Sequence, residues 1–216
     1  MTSHDPAAVL ALDALRRLEA FRPADAGQAA LAAEYVAFVR GAGEGARADA
    51  VRRDGGPQHL TASCFVLSPD LTRVLLCFHR KGQFWVQVGG HVEPNDATLA
   101  GAAFREAREE SGLVDLRAFE PDGVDAHALD TLAAPVDVHR HDLAAAFGAC
   151  RTHWDVGFVA FADPDARTAV SDESEDVAWF GVDDLPAGTP PDFPVRLATV
   201  LAEVRHRRRA MSRPAR

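Results

Sequence analysis

Lysine occurs once in this chain of 216 residues, at Lys81, tyrosine once, at Tyr35, and cysteine three times. Each scarcity excludes something. Cys64, Cys77 and Cys150 are too few and too scattered for a disulfide framework, and none stands in a CxxC pair. No stretch approaches the ~18 continuous apolar residues of a membrane span, so no membrane association is expected. The opening residues, Met1 to Pro6, lack the basic start and apolar run of a signal peptide, which makes the cytoplasm the expected location. Positive charge is also short: 23 basic residues face 32 acidic ones, for a formal net charge of -9. Arg205, Arg207, Arg208, Arg209, Arg213 and Arg216 are crowded into a C-terminal tail that holds no acid, so the remaining body is more acidic still. Such a body repels a phosphate backbone and suits recruitment of divalent cations, and nucleic acid is not an expected partner. The arginine tail reads as a solvated terminus.

What is present fits one domain with a helical appendage. Asp5-Pro6 is a cap followed by proline in the first turn, and Val9, Leu10, Leu12, Leu15, Leu18 and Phe21 recur at near-helical spacing. Asp25 caps a second amphipathic helix marked by Leu31, Tyr35, Phe38 and Val39, which runs out at Gly41. These helices make residues 1–50 a helical extension whose apolar stripes must dock, on the main body or on the second subunit of a homodimer. From His59 the pattern turns to short β-rich runs: Thr61 to Leu67 and Arg73 to Phe78 as a hairpin, then Phe84 to Val88. A helix follows from about Ala97 to Ser111, stopped by Gly112. Residues 131–138 and 156–161 read as strands joined by a His-rich connection, Ala178 to Phe180 as a short last strand, and about Val195 to Arg208 as a C-terminal helix. The main domain is placed at 58–190, with 191–216 as C-terminal helix and basic tail. Strands flanking one central helix make the class α+β.

The informative segment is Arg105-Glu106-Ala107-Arg108-Glu109-Glu110-Ser111-Gly112. At about 100° per residue, Ala100, Ala103, Phe104 and Ala107 form an apolar stripe that packs on a sheet. Glu106, Glu109 and Glu110 share another face. Like charges at this spacing cost about 0.2–0.5 kcal/mol per pair, and carboxylates in a last turn also oppose the helix dipole. Local stability alone does not select this pattern, whereas bound Mg2+ or Mn2+ would reverse the sign of the interaction. Three glutamates on a helix more commonly make a solvated face. Two features favour a site here. Gly89-Gly90 lies upstream, where bare backbone can approach a ligand closely, and Arg105 stands one turn before Glu109, placed to orient it through a bidentate pair.

With these residues the segment resembles the box of the Nudix (MutT-like) hydrolase family, G-x5-E-x7-R-E-x2-E-E-x-G followed by an apolar residue. Gly90 matches the first glycine, Asp96 stands at the first acidic position, and Arg105-Glu106, Glu109-Glu110, Gly112 and Leu113 match the rest. Asp replaces Glu at the first acid, and one extra residue separates it from Arg105. The resemblance covers roughly residues 58–186. It implies a Nudix α/β/α sandwich around a mixed sheet, a loop-helix-loop that binds Mg2+ or Mn2+, and metal-dependent attack of water on a diphosphate linkage in a nucleoside diphosphate derivative. Position by position, it implies Glu106 and Glu110 as metal ligands and Glu109 as shared between metal and base. Gly89 would offer a carbonyl oxygen, Arg105 would orient the carboxylates, and Glu173, with Asp172 or Glu175 behind it, would be a further catalytic acid from a loop beyond the box. Gly90, His91, Trp85 and His153 are the candidates for substrate contact. The rivals are an isoprenoid diphosphate isomerase, whose Cys and His pattern is absent around Trp85, and a non-catalytic nucleotide-binding module that regulates a partner. Intact Glu106, Glu109 and Glu110 argue against the second.

Other constellations are weaker. His139 and His141, with His153 and His91, permit a zinc site by alternation on a strand, but Asp137 and Asp142 are equally available, no cysteine pairs with them, and scattered histidines are more commonly surface groups. Phe84, Trp85, Trp154 and Phe180 are stacking candidates that read more simply as core aromatics. Cys77 and His79 face one side of a strand like a nucleophile pair, yet Cys77 sits in an apolar run that marks it as core. Family marks of ADP-ribose or dinucleoside polyphosphate substrates, a proline or a tyrosine past the box, are absent around Asp125 to Ala128.

Overall fold

The computed structural model describes residues 5–42, 45–119, 133–143 and 149–211, so the Asp125 to Ala128 segment and the last arginines lie outside the described residues. Asp5 caps helix α1, Pro6–Ala20, accepting a hydrogen bond from the Ala7 amide, with Pro6 in the first turn. Asp25 caps α2, Ala26–Arg40, through the Gln28 amide, and Gly41 ends it at φ 63°. The buried stripe of α1 is Leu10, Ala11, Ala14, Leu15 and Leu18. Val9 and Leu12, expected on that stripe, are 50% and 38% exposed. Alanines at 11 and 14 let the helix backbone sit close to its neighbours, which turns the stripe away from those two residues.

Strand β1, Gln58–Leu67, is the axis of a mixed sheet. It pairs in parallel with β7, Thr152–Phe161. Its C-terminal end is antiparallel to β2, Arg73–His79, and its N-terminal end to β4, Val88–His91. Strands β3, Phe84–Val86, and β8, Ser174–Gly181, extend the sheet from β2, while β5, Arg117–Ala118, and β6, Asp137–Asp142, pair with β7. Alternation along β1 sorts the layers. Leu60, Ala62, Cys64 and Val66 join the cluster built by α1, α2 and α3, Leu99–Ser111. Phe65 and Leu67 join Phe193, Leu197, Val200 and Val204 of α4, Phe193–Met211, on the opposite face. Helices thus cover both faces of the sheet, the expected α/β/α sandwich of α+β class. None of the described helices is long and apolar enough to cross a membrane.

Three expected elements differ. The run Phe84 to Val88 is two strands, because the chain steps at Gln87 from a partnership with β2 to one with β1. Bare backbone makes the step feasible: a Cβ at Gly89 would lie 2.5 Å from that of Ser63. The strand expected over 131–138 is β6 at 137–142, so His139 and His141 lie within a strand rather than in a connection. Strand β7 begins at Thr152, four residues earlier than expected, and contains His153 and Asp155. Both errors arise because polar side chains occupy a covered face of the sheet, which breaks the apolar alternation that marks strands.

The N-terminal helices dock on the body. Tyr35 is fully buried and its hydroxyl donates to the Asp155 carbonyl at 3.0 Å, and Phe38 stacks on Trp154 with ring centroids 4.3 Å apart. Arg17 donates to the Ala133 carbonyl, and Gln28 exchanges two hydrogen bonds with the Val138 backbone. Deleting residues 1–50 should therefore lower the melting temperature by more than about 10 °C or cause aggregation, since several buried apolar side chains at about 1.5–3 kcal/mol each lose their cover. Differential scanning calorimetry checks this. A truncated chain as soluble and thermostable as the whole would show that the helices are not part of the core.

Candidate active site

Helix α3 starts at Thr98, whose hydroxyl accepts from the Gly101 amide, and ends at Gly112 with φ 70°. Its apolar side, Leu99, Ala100, Ala103, Phe104 and Ala107, is buried against the sheet, which fixes where the glutamates point. They do not form one uniform face. Glu110 is 4% exposed and accepts a hydrogen bond from the Gly89 amide at 2.7 Å, with the Ser174 hydroxyl donating at 3.4 Å. The Glu106 side chain is 13% exposed, and its carboxylate would be 2.7 Å from a Cβ placed on Gly90. Glu109 is exposed. The glycine pair thus brings β4 backbone against two carboxylates that any side chain there would push away.

Arg105 is the hub. Its Nε and Nη2 each donate to one carboxylate oxygen of Asp96 at 3.0 Å, Nη1 donates to Glu106 at 3.0 Å and Glu109 at 2.9 Å, and Nη2 also reaches the His91 carbonyl at 3.0 Å. The bidentate partner is therefore Asp96 and not Glu109. The longer spacing between Asp96 and Arg105 is absorbed by a turn in which the Glu93 amide donates to Asp96 at 2.7 Å. Burial, opposed by Arg105 and assisted by Glu109 and Glu173, raises the Glu106 carboxyl to about 7. Burial also raises Glu110 to about 7, against the Gly89 hydrogen bond and with the help of Glu106 and Glu173. Two buried carboxylates in each other's field, with hard oxygen donors only, fit a divalent cation such as Mg2+ or Mn2+.

A cavity of about 690 Å3 opens beside Gly89 and Gly90. Thr61, Ser63 and Asp155 form part of its wall, Glu173 stands at its rim, and Arg80, Lys81 and Phe84 face it. The single lysine thus reaches the cavity. Trp85 does not line it: on β3 it points to the other side, edge-on to Phe180 at 4.8 Å and Phe78 at 5.3 Å. Strand alternation gives the cavity Phe84 and Val86 instead. Trp154 is core, between Phe38 and Tyr35. Cys77 is buried beside Glu110, and burial followed by that charge pushes its thiol far up, which leaves it inert as a nucleophile.

His91 and His153, both expected near substrate, do line the cavity. They meet two residues that the sequence analysis did not select, His59 and Cys150. His59 and His153 are direct partners across the parallel β1–β7 ladder, and His141 is the next partner of His153 on β6. Only the strand register brings these residues together. Burial first, then neighbouring positive groups, lowers His91 to about 4 and His153 to about 3, so both are neutral at pH 7.

A family model described as NUDIX domain matches residues 57–203. Among solved structures, a NUDIX-family hydrolase from Clostridium perfringens is 23% identical, with a TM-score of 0.52 over 68% of this chain and 97% of that one. A MutT NUDIX hydrolase from Burkholderia pseudomallei is 21% identical, with a TM-score of 0.47 over 66% of this chain and 98% of that one. Among curated proteins none matches the chain.

The raised Glu110 carboxyl makes a signed prediction for the protein in EDTA. A carboxyl whose folded value lies above its unfolded one destabilises the fold as pH rises through the interval between them. Glu110→Gln keeps the neutral shape, so it should match the parent in stability near pH 4 and exceed it by about 1–3 kcal/mol at pH 8. Denaturant melts at the two pH values measure the difference. Equal stabilities at both would show that Glu110 ionises without cost.

Proposed function

The chain belongs to the NUDIX domain family, and from that premise we propose that it is a Nudix-type pyrophosphohydrolase that cleaves a phosphoanhydride bond of a nucleoside diphosphate derivative with Mg2+ or Mn2+ held by the α3 carboxylates. The observation that carries this reading is the pair Glu106 and Glu110, largely withdrawn from solvent, raised to about 7 and seated against the bare glycine backbone that lines a cavity. A helix that only needed a solvated acidic face would not bury them.

The roles follow from position. Glu106 and Glu110 would hold the cation, with Glu109 at the exposed edge and the Gly89 carbonyl as a further oxygen donor. The bound ion would neutralise the diphosphate and make a bound water more acidic. Arg105 fixes Glu106 and Glu109 relative to each other and ties them to β4 through the His91 carbonyl. Its remaining bonds go to Asp96, so it positions carboxylates instead of touching substrate. Glu173 is exposed at the cavity rim and close enough to raise both buried carboxyls, which suits a base that takes a proton from the attacking water. Arg80 and Lys81 would screen the diphosphate charge, and Phe84 offers a face for stacking a base. Gly90 leaves space for the phosphate beside Glu106.

A screen of nucleoside diphosphate derivatives for phosphate or nucleotide release tests the reading. With Mg2+ or Mn2+ the parent should turn over at least one of them, lose activity reversibly in EDTA, and speed up from pH 6 to pH 8 as Glu106 and Glu110 give up their protons. Glu106→Gln should lower kcat by about 10^2-fold or more while the far-ultraviolet spectrum is unchanged. A rate indifferent to EDTA, or full activity in that variant, would refute the metal assignment.

A further inference from the structure

Opposite the carboxylate helix, three imidazoles and a thiol converge. The rings of His59, His91 and His153 form a nearly equilateral triangle, with centroids 5.1, 5.1 and 5.0 Å apart. Cys150 closes it: its Sγ is 3.8 Å from His59 Nε2 and 3.9 Å from His91 Nε2. One donor atom from each of the four residues lies within 4.8 Å of all the others. A tetrahedral ion at about 2.1 Å from nitrogen and about 2.3 Å from sulfur sets sulfur-nitrogen edges near 3.5 Å and ring centroids about 5 Å apart. The side chains stand within a few tenths of an ångström of that figure.

We propose that His59, His91, His153 and Cys150 form a four-ligand site for one zinc-class divalent ion, distinct from the hard-cation site on α3. Two further observations point the same way. His153 Nε2 is buried with no hydrogen-bond partner among the described residues, a cost that a ligand bond removes. The cluster is also held in place before any ion binds. His59 and His153 are register partners on β1 and β7, and His91 enters from β4 beside Thr61. The segment carrying Cys150 is pinned where the Arg151 and Thr152 amides donate to the Pro57 carbonyl at 2.8 and 3.2 Å.

The donor set decides which ion and which use. Imidazole and thiolate select zinc and its neighbours over magnesium, while the carboxylates of α3 prefer the hard ions, so one chain sorts two metals by chemistry. Four protein ligands fill a tetrahedral ion and leave no position for water, so the site fastens the Cys150 segment to three strands and rigidifies one wall of the cavity. This proposal does not rest on the hydrolase reading.

The test uses the full chain, stripped with chelator and reloaded. In excess Mg2+, elemental analysis should find about one zinc per chain after desalting. With Co2+ in place of Zn2+, absorption should show a thiolate-to-cobalt charge-transfer band and the intense visible bands of a tetrahedral ion. Cys150→Ser should abolish the charge-transfer band and weaken binding at least ~10-fold, His153→Asn should weaken it similarly, and Glu106→Gln should leave zinc content and spectrum unchanged. Circular dichroism checks that each variant is folded, and the histidine variant decides if the serine variant is not. Zinc lost on desalting, a cobalt spectrum without the sulfur band, a band that survives Cys150→Ser, or binding abolished by Glu106→Gln would each overturn the proposal.

Discussion

A guanidinium buried between two carboxylates holds the polar face of the sheet together. Arg196 of α4 donates to Asp137 on β6 and to Asp155 on β7, both at 2.7 Å, with its side chain only 8% exposed. Asp155 in turn accepts from Thr61 and Ser63 of β1 at 3.0 and 2.6 Å, and Gln87 donates to it at 3.5 Å from the step between β3 and β4. One ionic network therefore ties α4 to three strands and to the step between β3 and β4. Removing one partner of such a pair leaves an uncompensated buried charge and costs about 3–5 kcal/mol, so α4, β6 and β7 depend on one another. The same network explains why a cavity exists. Odd-numbered residues at the start of β1, His59, Thr61 and Ser63, are polar, and α4 covers them through an ion pair where an apolar helix face would have closed the space.

On the other side of β4 a second arginine organises carboxylates without neutralising all of them. Arg105 satisfies Asp96 with two bonds and restrains Glu106 and Glu109, but among the described residues Glu110 receives no positive partner, only the Gly89 amide and weaker contacts. Asp155 faces a comparable burial cost, yet the Arg196 charge and the Ser63 hydroxyl bring it below the ordinary range, whereas Glu106 and Glu110 rise to about 7. Buried charge is compensated by a guanidinium at Asp155, in the cavity wall, and left largely open at Glu106 and Glu110, behind the Gly89-Gly90 backbone. That contrast separates a structural ion pair from carboxylates free to take a ligand more clearly than a count of acidic residues.

The carboxylate helix was legible because its determinants are local. Apolar stripe, glutamate spacing, arginine and closing glycine all lie within fifteen residues, and helical periodicity converts their spacing directly into relative position. Both N-terminal caps were legible for the same reason. Strand ends were not: β6 and the first half of β7 carry His139, His141, His153 and Asp155 on a covered face, so their sequence has no apolar alternation to find. Alternation also could not say which side of β3 met the cavity, and Trp85 and Phe84 exchange places accordingly.

The sequence by itself thus determined the family, the cluster of carboxylates on α3, the arginine that bonds to them and the helices that bracket the sheet, because each depends on residues near one another in the chain. Tertiary structure decided what depends on pairing between distant segments. The register of β1 with β7 places His59 beside His153, the step at Gln87 delivers His91 to the same point, and the turn before Thr152 adds Cys150. Those four residues span ninety-five positions of sequence, and a strand slipped by one residue would have sent each histidine to the opposite face.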